Sequence, residues 1–216
     1  MGDLRHPWLV TGALALLLTA AACLQKSSAQ VVGDSACPAY AVDIASFATC
    51  DGDRVAGADG IERVSPQRAY ELKQQHGRAV LLIDVRSKAE ALLAGAPLGI
   101  DAVVPLAEIA VPLRWDAERR DLQFVDEPNF SAVAQAWVAA LGGDERTPLL
   151  LICRDEARAL RAAQRLQVAG HASAAVVSGG FEGALGADGG RHGGWKDAGL
   201  PWTDTVDATL VFGASD

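Results

Sequence analysis

Short apolar runs alternate with stretches in which apolar positions recur every three or four residues. Residues 79–85 (AVLLIDV) and 148–152 (PLLLI) are continuous apolar runs with polar stops, the pattern of strands buried on both faces of a parallel sheet. Shorter strands are predicted at 102–104 and 174–177. Ser65-Pro66 opens a predicted helix that runs to about Gln75 and ends at His76-Gly77, since serine caps free N–H groups and proline suits the first helical position. Further helices are predicted at 88–93, at 130–141 with Gly142-Gly143 as the stop, and at 156–168 with Gly170 as the stop. Ser178-Gly179-Gly180 reads as a tight turn, 183–194 as a glycine-rich loop, and 114–129 as a charged excursion over the surface. Strands that alternate with helices define an α/β domain with a mostly parallel central sheet flanked by helices. No internal repeat is present.

The ends read differently. Residues 8–22 are almost wholly apolar, too short for the roughly 20 residues a bilayer span takes, but right for the core of a signal peptide. Ser27-Ser28-Ala29 before Gln30 is the expected cleavage site, giving a signal peptide at 1–29. Ala20-Ala21-Ala22 before Cys23 loosely resembles a bacterial lipoprotein box but has alanine where leucine is usual, so ordinary cleavage is preferred to lipid anchoring. A buried N-terminal helix is the bland alternative. Residues 30–63 lack a long apolar period and read as an irregular N-terminal extension, 64–205 as the organised domain and 206–216 as a tail. The expected location is periplasmic or secreted, with no membrane span after cleavage.

Composition narrows the function classes. Of 216 residues, 50% are hydrophobic and 21% charged, a globular balance. The formal charge is −8, and loss of residues 1–29 would remove two basic and one acidic side chain. No basic block stands out, which argues against a nucleic-acid-binding face and against attraction to anionic lipid. Four cysteines are too few and too unevenly spaced for a zinc ribbon. In an oxidising compartment Cys37 and Cys50, thirteen positions apart, are expected to pair, a loop closure worth about 3 kcal/mol; two free or differently paired thiols are the alternative. Cys153 is then left over.

Ligands of parallel sheets sit beyond the carboxyl ends of the strands. That rule selects Asp84-Val85-Arg86 and the loop Cys153-Arg154-Asp155-Glu156-Ala157-Arg158. A cysteine between a buried strand and a helix start faces backbone N–H groups and partial positive charge, which favour the nucleophilic thiolate. Arg154 and Arg158 could hold an anion there. The bland reading is a small buried apolar residue.

Four segments in order, across 64–202, resemble a single rhodanese domain of the sulfurtransferase family. They are VLLIDVR at 80–86, LLLICRDEAR at 149–158, VVSGGFEG at 176–183, and GGWKDAGLPW at 193–202 with Trp195 and Ala198-Gly199-Leu200-Pro201. The resemblance implies a persulfide carried on Cys153, a donor-binding loop over Arg154, Asp155, Glu156, Ala157 and Arg158, and support from Asp84 and Arg86, for which an internal ion pair is the competing reading. It implies no cofactor. The partners would be a small sulfur donor such as thiosulfate and a thiol or cyanide acceptor, with no nucleic acid. Four residues separate Cys153 from Arg158, one fewer than in the Cys-x5-Arg loop of phosphatases, where position 159 would be arginine and is alanine here.

The chain departs from that family in places. Asp155 and Glu156 stand where small residues and glycine are usual, so the side-chain charge of the loop sums to zero and an anionic donor is less welcome. Residues 94–100 (AGAPLGI) lack the histidine of the family's Gly-His-Ile-Pro-Gly-Ala segment. These departures favour a second reading, a catalytically weak binding module for a periplasmic partner protein. A thiol–disulfide role ranks last, because no Cys-x-x-Cys occurs. His76, His171 and His192 read as surface or loop-end residues rather than metal ligands.

Overall fold

The computed structural model describes residues 54–118 and 121–213. Its centre is a sheet of Arg54–Ala56 (β1), Glu62–Val64 (β2), Leu81–Asp84 (β3), Ala102–Val103 (β4), Leu149–Ile152 (β5) and Ala174–Val177 (β6). The strand order is β1-β2-β6-β5-β3-β4. Five strands run parallel, and the edge strand β1 pairs antiparallel with β2. Four helices accompany the sheet: Pro66–His76 (α1), Lys88–Ala94 (α2), Phe130–Ala140 (α3) and Ala157–Val168 (α4). The expected α/β architecture is therefore present.

The apolar runs are continuous because each side of the pleat meets its own packing layer. Leu81 and Ile83 face Phe130, Ala134 and Val138 of α3 and Ala159, Ala162, Ala163 and Leu166 of α4. Val80 and Leu82 face the other way, with Ala69 and Leu72 of α1, Phe181 and Trp195. In α4 the buried positions 159, 162, 163 and 166 follow the three-and-four spacing of one helix face. Their mostly alanine side chains keep that helix close to the sheet.

The sheet also takes in residues ahead of Val64, where the sequence pattern places the start of organised structure. β2 lies between β1 and β6, yet of its three residues only Val64 is buried. Glu62 and Arg63 give it no apolar run. Segment 107–126, which overlaps the expected excursion at 114–129, holds two small ribbons, Ala107–Ile109 with Phe124–Asp126 and Trp115–Asp116 with Asp121–Leu122. The 183–194 loop holds a two-residue pairing, Ala184–Leu185 with Arg191–His192. The signal peptide, Cys23 and the proposed Cys37–Cys50 pairing lie outside the described residues. Among the described residues, no helix is long and apolar enough to cross a membrane.

One buried ion pair ties α1 to the sheet. Lys73 Nζ donates to both Asp101 carboxylate oxygens at 2.6 and 2.8 Å and to the carbonyls of Gly77 and Val80. Asp101 also accepts the Leu82 N–H at 2.7 Å. Replacing Asp101 by alanine would leave a buried ammonium without its counter-charge and strand the Leu82 amide. The expected loss is about 3 kcal/mol in denaturant unfolding. A loss under about 0.5 kcal/mol would mark the pair as solvent-compensated.

Candidate active site

β5 runs beside β3 with Ile152 opposite Asp84, so the two selected strand ends lie side by side. The Val85 N–H donates to the Ile152 carbonyl at 2.8 Å. Beyond Ile152 the chain turns through Cys153–Arg158 into α4. The loop is clasped by the double-glycine turn after β6: the N–H groups of Phe181 and Glu182 donate to the carbonyls of Cys153 and Arg154 at 2.7 and 2.9 Å. A Cβ on Gly180 would stand 1.9 Å from the Asp155 carbonyl oxygen and 2.5 Å from that of Cys153, so only glycine permits this approach.

With the loop carbonyls engaged outward, its amides are left over. The Arg154 amide lies close enough to the thiol to favour its anion. Ala157 N–H donates to Asp155 Oδ1 at 3.1 Å. Among the described residues, the N–H groups of Asp155, Glu156, Arg158 and Ala159 meet no protein acceptor, as the first turn of a helix requires. These amides remain available to an acceptor bound in the loop.

The expected thiolate is not present. Cys153 is a free thiol with 0% exposure. Burial pushes it up to about 12; the Arg158 guanidinium opposes this, the Asp84 and Glu90 carboxylates reinforce it, and the Arg154 amide opposes it. Desolvation outweighs the guanidinium and the amide, because a sulfur anion sealed from water loses more hydration than they return.

The loop arginines find their carboxylate partners outside the loop. Asp155 and Glu156 are not the main counter-ions of Arg154 and Arg158. Asp155 caps Ala157, and Glu156 turns to Arg63, accepting from its Nε at 2.6 Å. Ala157 is exposed. Arg154 Nη2 donates to Asp121 at 2.8 Å. Arg158 makes a two-point pair with Glu90, at 2.6 and 2.5 Å, and lies 4.5 Å from the Phe124 ring centroid. Asp84 and Arg86 form the internal ion pair of the competing reading, both 0% exposed. Arg86 Nη2 lies 2.5 Å from Asp84 Oδ2 and 2.6 Å from the Gly95 carbonyl, and the guanidinium stacks over Phe181.

Glu90 was not singled out from the sequence. It completes a capping box at the start of α2: its carboxylate accepts the Ser87 N–H at 3.0 Å, and Ser87 Oγ accepts the Glu90 N–H at 3.2 Å. Ser-x-x-Glu is a readable helix signature, but the second role of the carboxylate is not. The 107–126 arm was also missed as part of the site. Arginines 154, 158, 161 and 165 recur at spacings of four, three and four, Arg154 in the loop and the other three along one face of α4. Segment 121–128 lines them: Asp121 pairs with Arg154, Phe124 covers Arg158, Asp126 pairs with Arg161, and the carbonyls of Glu127 and Pro128 accept from Arg165. His171, expected near the surface, is instead fully buried with Nε2 at 2.8 Å from the Thr147 carbonyl. His192 is exposed beside Asp188 and His76 half-buried.

Fold and site together define an α/β domain that presents a cysteine in a helix-capping loop at the carboxyl edge of a parallel sheet. Residues 65–187 match the family model of the Rhodanese-like domain, more than half of the chain, and the protein belongs to that family. Among solved structures it is similar to Rv0390 from M. tuberculosis, at 29% identity over 66% of this chain and 96% of that one, with a TM-score of 0.49. It is similar to the polysulfide-sulfur transferase homodimer of Wolinella succinogenes, at 25% identity over 68% and 81% and a TM-score of 0.38. The human single-domain sulfurtransferase TSTD1 is similar at 23% identity over 55% and 90%, with a TM-score of 0.34. No curated protein matches.

Proposed function

We propose that this protein is an exported sulfurtransferase that carries sulfur as a persulfide on Cys153. One observation carries the reading: the cysteine follows a central strand inside a six-residue loop in which the amides of Asp155, Glu156 and Arg158 meet no protein acceptor among the described residues. Membership of the rhodanese-like domain family supports it. The closed loop is the resting state. Arg154 and Arg158 are both held by residues outside the loop, Asp121 and Glu90, and Cys153 is fully buried, so the site must open before a donor reaches the sulfur. Contact with water then returns the thiol to its ordinary range, and its proton leaves to solvent.

The thiolate attacks the outer sulfur of a donor such as thiosulfate. A Cys153 S–S bond forms, the donor S–S bond breaks, and the electron pair leaves on sulfite. The terminal sulfur keeps the negative charge, and the amides of Asp155, Glu156, Arg158 and Ala159 are its acceptor-free donors. Cyanide or a thiolate then attacks that terminal sulfur and releases the Cys153 thiolate. This is covalent catalysis split into two displacements of similar kind.

The sealed thiol favours a second reading, a binding module that recognises a periplasmic partner through the same loop. Intact mass separates the two. Wild-type protein incubated with thiosulfate or an alkyl persulfide is expected to gain one sulfur atom, which cyanide removes as thiocyanate; Cys153→Ser gains none. If the wild type gains no more sulfur than Cys153→Ser from either donor, the enzyme reading is lost and the binding module takes its place.

A further inference from the structure

Four guanidinium groups surround the Cys153 loop, and each has a carboxylate. Arg86 is fully buried against Asp84 and the Gly95 carbonyl. Arg158 is gripped at two points by Glu90 and covered by Phe124. Arg63 is shared between Glu156 and Asp59. Arg154 differs: it makes one contact, from Nη2 to Asp121 Oδ2 at 2.8 Å, and its buried Nε has no partner. Asp121 sits on the arm, in a two-residue ribbon against Trp115–Asp116, and both members of the pair are partly open to solvent. Among these arginines, Arg154 is the one an incoming anion could take at least cost.

We propose that Asp121 is a specificity-determining residue that selects sulfur donors by charge. The inference rests on the sulfurtransferase reading of Cys153. An oxoanion donor must displace the Asp121 carboxylate from Arg154 and meets its negative charge while doing so. An alkyl persulfide has no oxyanion head and reacts as its protonated form R–S–SH, so it needs no guanidinium. Its reaction balances without further reagents: the Cys153 thiolate attacks the terminal sulfur of R–S–SH, the Cys153 S–S bond forms as the donor S–S bond breaks, the pair leaves on R–S⁻, and the proton stays on the transferred sulfur. Asp121 therefore tilts the site toward organic persulfides and away from thiosulfate.

Two measurements on the full chain test this. In the first, kcat/KM is measured for thiosulfate and for 2-hydroxyethyl persulfide. Asp121→Asn should raise the thiosulfate-to-persulfide ratio about tenfold, the scale of one charged hydrogen bond gained, and Asp121→Glu should keep the wild-type ratio. In the second, sulfate is titrated calorimetrically into the Cys153→Ser protein. Asp121→Asn should tighten sulfate binding about tenfold, and Arg154→Gln added to it should remove the gain. An unchanged ratio and unchanged sulfate affinity in Asp121→Asn overturn the proposal, as does a gain that survives without Arg154. If neither donor loads sulfur onto Cys153, the enzyme reading has failed, and the sulfate titration still decides whether Asp121 holds Arg154 against anions.

Discussion

Gly180→Ala is expected to lose at least about 3 kcal/mol of stability and nearly all sulfur loading at Cys153. Two penalties combine. The residue has φ of +64°, a region where an L side chain costs about 1 kcal/mol or more. The added Cβ would also meet two backbone oxygens, Asp155 at 1.9 Å and Cys153 at 2.5 Å, and neither can swing aside as a side chain could. Gly180 is pinned from behind by the Trp195 N–H, which donates to its carbonyl at 2.8 Å. Relief therefore requires the turn to withdraw from the loop, breaking the bonds from Phe181 and Glu182 that hold the loop carbonyls outward. The loop would then lose the two bonds that fix its backbone beside Cys153. Gly142→Ala is the control, since φ is +86° there and nothing lies within 4 Å of the added Cβ. It should cost only about 1 kcal/mol and leave sulfur loading intact. Urea unfolding and intact mass on both variants decide the matter, and equal losses in the two would show that the turn does not press on the loop.

What could be read from the sequence followed from burial on two sides. β3 and β5 are legible as apolar runs because helices and loops cover both pleat faces. β2 is not, although it belongs to the same sheet, because Arg63 points to Glu156 and Asp59 rather than into the core. The position of Cys153 at a strand end is likewise legible, since strand, turn and helix start are local events. Its protonation state is not. That depends on the burial of the sulfur and on the charges of Arg158, Asp84 and Glu90 around it, which come from residues far apart in the chain. The ribbons of the arm are two or three residues long and leave no period to detect. Glu90 shows the same division: its capping box spans three residues and can be seen, whereas its pairing with Arg158 spans 68 and cannot. Likewise Asp155 and Glu156 are the carboxylates nearest Arg154 and Arg158 in sequence, while Asp121 and Glu90 are the ones that pair with them in space.

Glu90→Gln should destabilise the fold by about 3 kcal/mol and, against that trend, make Cys153 more reactive. Glutamine can still serve in the capping box, so the stability loss belongs to Arg158, whose guanidinium is held in a partly buried position by this carboxylate. The reactivity gain follows from the same charge. Glu90 now holds the Cys153 thiol up, while Arg158 pulls it down. Removing the carboxylate leaves the guanidinium uncompensated, so the thiol should fall from about 12. Each pH unit of fall raises the thiolate fraction about tenfold at pH 8, and alkylation by iodoacetamide should accelerate accordingly. The pH dependence of stability gives an independent check at both ends. Glu90 is held below the ordinary carboxyl range by Arg158 and Ser87 despite its burial. Its contribution is present above that range and is lost as pH falls through it, so wild type and variant should converge in acid. The Cys153 thiol is raised, so its protonated form supports the fold below the ordinary thiol value of 9.0, and that support drains away as pH climbs toward about 12. In Glu90→Gln this alkaline loss should begin at the same ordinary thiol value, end at lower pH and total less. Alkylation no faster than in the wild type, alongside the same stability loss, would mean that Glu90 holds Arg158 in place without setting the charge felt by the sulfur.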